Sequence, residues 1–174
     1  SCPADMTVFA QSGSCSASVN YIPPVGTDNC NGAVTALIAG PASGDVVQVG
    51  TTPVTYRVTA ANGATATCSF NITVRDINLP SINCPANITM NVAPGQCNAV
   101  VTYTAPVGTD GCSGPTTIQT AGLASGSTFP LGATTNTFRV TDASGNTATC
   151  SFTVTVQDTQ IPTISCPANI TVNA

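Results

Sequence analysis

Apolar and polar residues alternate along most of this chain, in short runs that Gly and Pro interrupt. Met6 and Val8 share one phase, as do Ala17, Val19 and Tyr21; Val54, Tyr56 and Val58; and Cys68, Phe70, Ile72 and Val74. A period of two residues predicts β-strands with one buried and one solvated face. The pattern returns at Ile88, Met90 and Val92; Ala99, Val101 and Tyr103; Phe138 and Val140; and Cys150, Phe152, Val154 and Val156. Turn residues sit where strands must reverse. Ser12-Gly13 and Pro94-Gly95 join the first two strands of each set, and Asn62-Gly63 and Ser144-Gly145-Asn146 join the last two. Helical periodicity is nearly missing. About seven strands in roughly 80 residues predict an all-β, immunoglobulin-like two-sheet sandwich. The Trp of the antibody-type core is absent.

The two sets of strands are copies. Cys2, Cys15, Cys30 and Cys68 recur 82 residues later as Cys84, Cys97, Cys112 and Cys150, and Cys166 restarts the series. A fixed period of this kind marks a tandem array of modules. The expected domains are one module over 1–79, a second over 80–161, and the first strand of a third over 162–174. The linkers, Arg75 to Pro80 and Gln157 to Pro162, are short. Each proline holds the residue before it extended, so the disulfide-stapled modules are expected to line up as a rod.

Composition narrows the function. Nine cysteines spaced by a period, rather than in metal-binding pairs, predict disulfides made in an oxidising compartment. The expected location is extracellular or at the cell surface. Three Arg, no Lys and seven acidic residues give a net charge of −4, with no basic cluster. Nucleic acid and anionic membrane surfaces are therefore excluded as partners. No apolar stretch approaches the roughly 20 residues of a membrane span. Ser1-Cys2 already lies inside a repeat, so the chain reads as a processed product or an excised piece whose export signal lies elsewhere. His, Glu and Lys are all absent. The usual general acids and bases are missing with them, no group can activate a Ser or Thr, and no catalytic residue is nominated. Without Lys there are no Lys–Asn isopeptide cross-links either, which leaves cystine as the covalent staple.

The pairing of the cysteines follows from an assumed sandwich. Cys2 and Cys15 flank a hairpin and fall roughly 20 Å apart at about 3.3 Å per residue, too far for a disulfide. The loop after the second strand and the turn before the last are placed at one end. That predicts Cys30–Cys68 and Cys112–Cys150 inside modules. Cys15 is left at the junction, which predicts Cys15–Cys84 and Cys97–Cys166 between modules. Cys2 stays unpaired or awaits a preceding module or chain. The alternative keeps every bond within a module.

Small-ligand candidates are few. Asp76 and Asp158 recur at the linkers, and Asp28 and Asp110 before the third cysteine of each module. They are weak calcium candidates, since calcium takes six to eight oxygen ligands; otherwise no cofactor or metal is expected. Asn71, Asn87 and Asn169 stand in Asn-Ile-Thr triplets that can accept N-linked glycans in a eukaryotic secreted protein, and all three are placed on strands. Aromatic platforms for sugar binding are scarce.

The modules resemble hyalin repeats, the HYR family. The resemblance rests on Cys84 to Thr89, on Val25 to Cys30 and Val107 to Cys112, on Ser125 to Gly132, and above all on Thr141 to Phe152. The first module departs at Ala60 to Ala64 and at Asp45, which stands where the second has Ser127. The resemblance implies immunoglobulin-like folds in long extracellular arrays associated with cell adhesion, with no catalytic residues to carry over. The leading expectation is a non-catalytic structural or adhesive repeat of an extracellular fibre or adhesin stalk, stiffened by disulfides between modules. The alternatives are a self-assembling filament subunit, joined by strand donation or an inter-chain disulfide, and a module that binds glycan or protein. Partners are then neighbouring modules or chains, or an extracellular glycan or protein.

Overall fold

A computed structural model describes residues 1–30, 32–112 and 114–172. It is all-β, with no helix among the described residues. The first repeat forms β1 (Met6–Phe9), β2 (Ser16–Ser18), β3 (Val34–Ala39), β4 (Val46–Gln48), β5 (Gly50–Thr59) and β6 (Thr65–Arg75). The second forms β7 (Ile88–Asn91), β8 (Asn98–Val100), β9 (Thr116–Ala121), β10 (Thr128–Pro130), β11 (Gly132–Thr141) and β12 (Thr147–Gln157). Among the described residues each repeat thus has six strands, against the roughly seven expected. Four make one sheet, in order β1-β6-β5-β3 or β7-β12-β11-β9, and two make the other, β2-β4 or β10-β8.

One feature of this topology sets the chemistry of the cysteines. The first strand does not pair with its hairpin neighbour; it runs parallel to the last strand of its own repeat. Met6 to Phe9 align with Ile72 to Arg75, and Ile88 to Asn91 align with Val154 to Gln157. Both alignments join residues 66 positions apart.

The core of the first repeat is built from the alternating residues. Ala17 and Val19 and the β4 residue Val47 pack with Val54, Tyr56, Phe70, Ile72 and Val74 from the large sheet. Tyr21 meets Phe70 edge-on at 5.1 Å, as Tyr103 meets Phe152 at 4.9 Å. Each tyrosine donates its hydroxyl to a loop carbonyl at 2.6 Å, Pro41 in the first repeat and Leu123 in the second. A half-buried aromatic ring with a satisfied hydroxyl fixes the loop that follows β3 or β9.

The repeats solve one core position differently. Val54 corresponds to Asn136, Pro41 to Leu123 and Leu37 to Gln119. Asn136 is fully buried, and its Oδ1 accepts from the Leu123 N–H at 2.8 Å and Gln119 Nε2 at 3.2 Å. Pro41 has no N–H to satisfy, so Val54 suffices. Asn136→Val alone should cost about 1–3 kcal/mol, because it leaves the Leu123 donor unpaired. Adding Leu123→Pro should recover about 1 kcal/mol as a favourable coupling in a denaturation double-mutant cycle.

By contact the chain divides into two compact units. One comprises Ser1–Ile82, Val107–Ile118 and Arg139–Thr149; the other comprises Asn83–Pro106, Gln119–Phe138 and Cys150–Ala174. Two loop segments of the second repeat therefore pack within the same unit as the whole first repeat. Residues 158–172 carry the expected strand pattern but form no strand, and Asn173 and Ala174 lie outside the described residues. The physical reason lies in the pairing of β1 and β7. Each is held by the last strand of its own repeat, and 162–174 has no such strand in this sequence.

Candidate functional site

The disulfides follow the parallel register. Cys2 bonds to Cys68 and Cys84 to Cys150, each across 66 residues and with Cα atoms 5.6 Å apart. That separation equals the β1–β6 and β7–β12 offset, so each bond lies on the ladder's own extension. Asp5 and Asn87 mark the same register: Asp5 Oδ1 accepts from the Asn71 N–H at 2.7 Å and Asn87 Oδ1 from the Thr153 N–H at 2.8 Å. These bonds replace the expected Cys30–Cys68, Cys112–Cys150 and Cys15–Cys84, and Cys2 is paired after all. Cys97 and Cys166 are both exposed free thiols, not partners. The physical reason is that the first strand's hydrogen bonds go to the last strand of its repeat rather than to its hairpin neighbour, which carries the first cysteine to the fourth.

The remaining chemistry gathers where the turn after β1, the linker after β6 and two loops of the second repeat meet inside the first unit. Asn78 stitches the linker to the turn: its Oδ1 accepts from the Gly13 N–H at 3.0 Å, and its Nδ2 donates to the Ser14 carbonyl at 3.3 Å. Asp76 is buried, and its Oδ1 accepts from the Asn78 N–H at 2.9 Å and Nδ2 at 2.8 Å. Ser81 and Thr109 exchange two backbone hydrogen bonds of 2.7 Å. Asn146 Nδ2 donates to the Asp76 carbonyl at 3.2 Å, and its own turn is capped by Asp142, whose Oδ1 accepts from the Ser144 and Asn146 N–H groups.

Two thiols lie in this cluster. Cys15 Sγ donates to the Gly111 carbonyl at 3.1 Å, and Cys112 Sγ donates to the Ser14 carbonyl at 3.4 Å. Each sulfur thus touches the peptide group that leads into the other cysteine. A hydrogen bond with Cys15, burial, and the neighbouring Asp76 carboxylate push the Cys112 thiol up to about 12. Burial alone would raise the Asp76 carboxyl. The Asn78 N–H, the Cys112 thiol, the Asn78 carboxamide and the Ile77 N–H outweigh it and hold the group below its ordinary value.

The matches to known proteins fit this picture. The model of the HYR domain matches residues 1–74 and again 75–156. The chain belongs to the HYR family. Among curated relatives it is 37% identical to Hyalin of Strongylocentrotus purpuratus and 35% to Hyalin of Lytechinus variegatus, each over 88% of this chain. It is 28% identical, over 97% of its length, to "Sushi, von Willebrand factor type A, EGF and pentraxin domain-containing protein 1" of Rattus norvegicus. It spans only 13%, 29% and 5% of those relatives. Among solved structures, Drosophila N-cadherin EC1-3 aligns over 88% of this chain and 63% of its own, at 12% identity and a TM-score of 0.46.

The HYR motifs acquire physical meaning in the structure. Gly26 and Gly108, inside the Val25 to Cys30 and Val107 to Cys112 segments, lie directly against Val58 and Val140. Each donates its N–H to a threonine Oγ1, Thr35 at 2.8 Å and Thr117 at 2.9 Å. Of the calcium candidates, Asp76 and Asp110 come together with Cys112, their ligand atoms within 4.8 Å of one another. Asp110 Oδ2 is engaged by the Cys112 N–H at 2.8 Å. The cluster offers two carboxylates and a soft thiol as side-chain ligands, where calcium takes six to eight oxygens, backbone carbonyls and water among them. Asp28 and Asp158 are exposed, and Asp158 Oδ1 accepts from the Gln160 N–H at 2.9 Å.

The three sequons are not all on strands: Asn71 lies in β6, Asn87 just before β7, and Asn169 in the strandless segment. Asn71 Nδ2, the atom a glycan would occupy, donates to Asp5 Oδ2 at 3.3 Å. Sequence reasoning missed the roles of Asn78, Asp142 and Asn146. A signal for the first was present, because Gln160 recurs at its position and Gln160 Oε1 accepts from the Gly95 N–H at 3.0 Å, as Asn78 does from Gly13.

Proposed function

We propose that this chain is a run of non-catalytic repeats from an extracellular fibre or a cell-surface adhesin stalk, whose neighbours are further modules of the same kind. The observation that carries this reading is repetition with self-sufficiency. Two copies of one sandwich occur in sequence, each closed by its own cystine, and they occupy a small share of relatives named Hyalin. Cystines of this kind need an oxidising compartment, which supports an extracellular location. No helix among the described residues is long and apolar enough to cross a membrane. A spacer needs no binding chemistry. In keeping with that, Phe9 is the one aromatic ring among the exposed strand residues described.

Passing the oxidised chain over a broad panel of immobilised extracellular glycans and matrix proteins tests the reading. A spacer shows no saturable retention on any of them. Saturable, competable binding to one of them would replace the spacer with a recognition module.

A second reading has one observation in its favour. Ile164, Ile170 and Val172 are exposed, in strand phase and without a sheet, as expected of a strand to be donated to another chain. A filament subunit would sediment as concentration-dependent oligomers, and deleting 162–174 would return it to monomer.

A further inference from the structure

We propose that Cys15 and Cys112 form a third disulfide, a covalent clasp between the turn after β1 of one repeat and the loop before β9 of the next. The inference deepens the stalk reading and rests on it for its oxidising compartment. The geometry itself is independent of that reading.

Three observations support the clasp. Each sulfur sits within hydrogen-bond distance of the carbonyl immediately preceding the other cysteine, 3.1 Å for Cys15 to Gly111 and 3.4 Å for Cys112 to Ser14. That carbonyl shares its planar peptide unit with the partner's own Cα, so each sulfur already lies against the backbone of the cysteine it would join. The surrounding cluster already fixes both backbones. Asn78 holds the turn at Gly13 and Ser14, Asp110 caps the Cys112 N–H, and the Ser81–Thr109 bridge pins the loop. Finally, the internal bonds consume the first and fourth cysteines of each repeat, so the second and third are the ones left to pair.

The 82-residue translation then gives a general rule: the second cysteine of one repeat clasps the third cysteine of the next. Cys97 and Cys30 are the open halves of two further clasps, and both are exposed. Cys166, a first cysteine, would join a fourth cysteine of its own repeat.

Oxidised glutathione serves as the two-electron acceptor. One of the two thiols, as thiolate, attacks its disulfide and expels one glutathione thiolate. The other then attacks the mixed disulfide and expels the second. One S–S bond forms as one breaks, and the two protons leave with the two reduced glutathiones.

The chain carries its own assay, because trypsin can cut only after Arg57, Arg75 and Arg139. The four peptides are 1–57, 58–75, 76–139 and 140–174. Cys2–Cys68 links the first two, and Cys84–Cys150 links the last two. Only a bond between the two repeats can link the pairs. The whole chain is oxidised in a glutathione redox buffer, blocked with N-ethylmaleimide, denatured and digested without reduction.

The clasp predicts one covalent assembly of all four peptides, labelled at Cys30, Cys97 and Cys166. Cys15→Ala should split that assembly into two, and so should Cys112→Ala. Two separate pairs from the unmutated chain, with Cys15 and Cys112 both labelled, would overturn the inference. So would a four-peptide assembly that survives Cys15→Ala, since it would run through other cysteines. The stalk reading would survive either outcome and falls only to the retention assay.

Discussion

Replacing Cys84 and Cys150 together with Ala should destabilise the second module by about 4 kcal/mol, the chain-entropy value for closing a loop of this length. The bond spans 66 residues, most of the module. Its loss frees the unfolded chain far more than a short clip would. In a domain of this size such a change lowers the melting temperature by about 20 °C, readable by circular dichroism. Removing both thiols together avoids leaving a reactive sulfur that can scramble with Cys97 or Cys112. Cys2→Ala with Cys68→Ala should act similarly on the first module. An unchanged melting temperature in the Cys84/Cys150 variant would mean that this bond does not carry the fold.

The second large effect concerns the glycine of the repeated Val-Gly-Thr segment. A Cβ on Gly108 would fall 2.4 Å from Val140 Cγ2 and 2.5 Å from its Cβ, and Val140 is fully buried. The first repeat reproduces the contact, with 2.5 Å from Gly26 to Val58 Cγ2. Because the obstacle is a stiff, buried β-branched side chain, little can move aside. Gly108→Ala should therefore cost about 2–3 kcal/mol by overpacking. Val140→Ala alone should cost about 2 kcal/mol through the cavity it leaves. Combined, the two should cost less than their sum by about 1 kcal/mol, since the new methyl fills the space that Val140 vacates. Additive losses in urea denaturation would show that the glycine's role is not this close approach.

The strands were legible because their signal is local. Cys68, Phe70, Ile72 and Val74 alternate within one element, and burial in the structure follows that phase. Turns at Asn62-Gly63 and Ser144 to Asn146 were legible for the same reason. The partner of a strand is not a local property. Met6 and Val8 predict a strand whichever neighbour they choose, and nothing in their alternation separates an antiparallel hairpin from a parallel pairing with β6. That single ambiguity misplaced all four expected disulfides.

The junction cluster was half legible. Recurrence singled out Asp76 and Asp110, which do meet, though as hydrogen-bond acceptors beside a thiol rather than as an oxygen cage. The long-range bonds of Asn78 and Asn146 were not legible, since an asparagine in a turn or linker is ordinary until its distant partner is known. The strand expected over 162–174 shows the opposite failure. Its pattern is sound, but pattern alone cannot supply the sheet that would hold it.

Stretching the oxidised chain from its two ends in a force spectrometer tests most directly whether these modules are built to bear load. An 82-residue repeat extends to about 290 Å when unfolded, at about 3.5 Å per residue. The internal cystine withholds 66 of those residues, or about 230 Å. A load-bearing spacer should therefore lengthen in steps no longer than about 60 Å per module while oxidised, and in steps exceeding about 200 Å once reduced. Long steps from the oxidised chain, or extension with no resisting step in either state, would contradict the account.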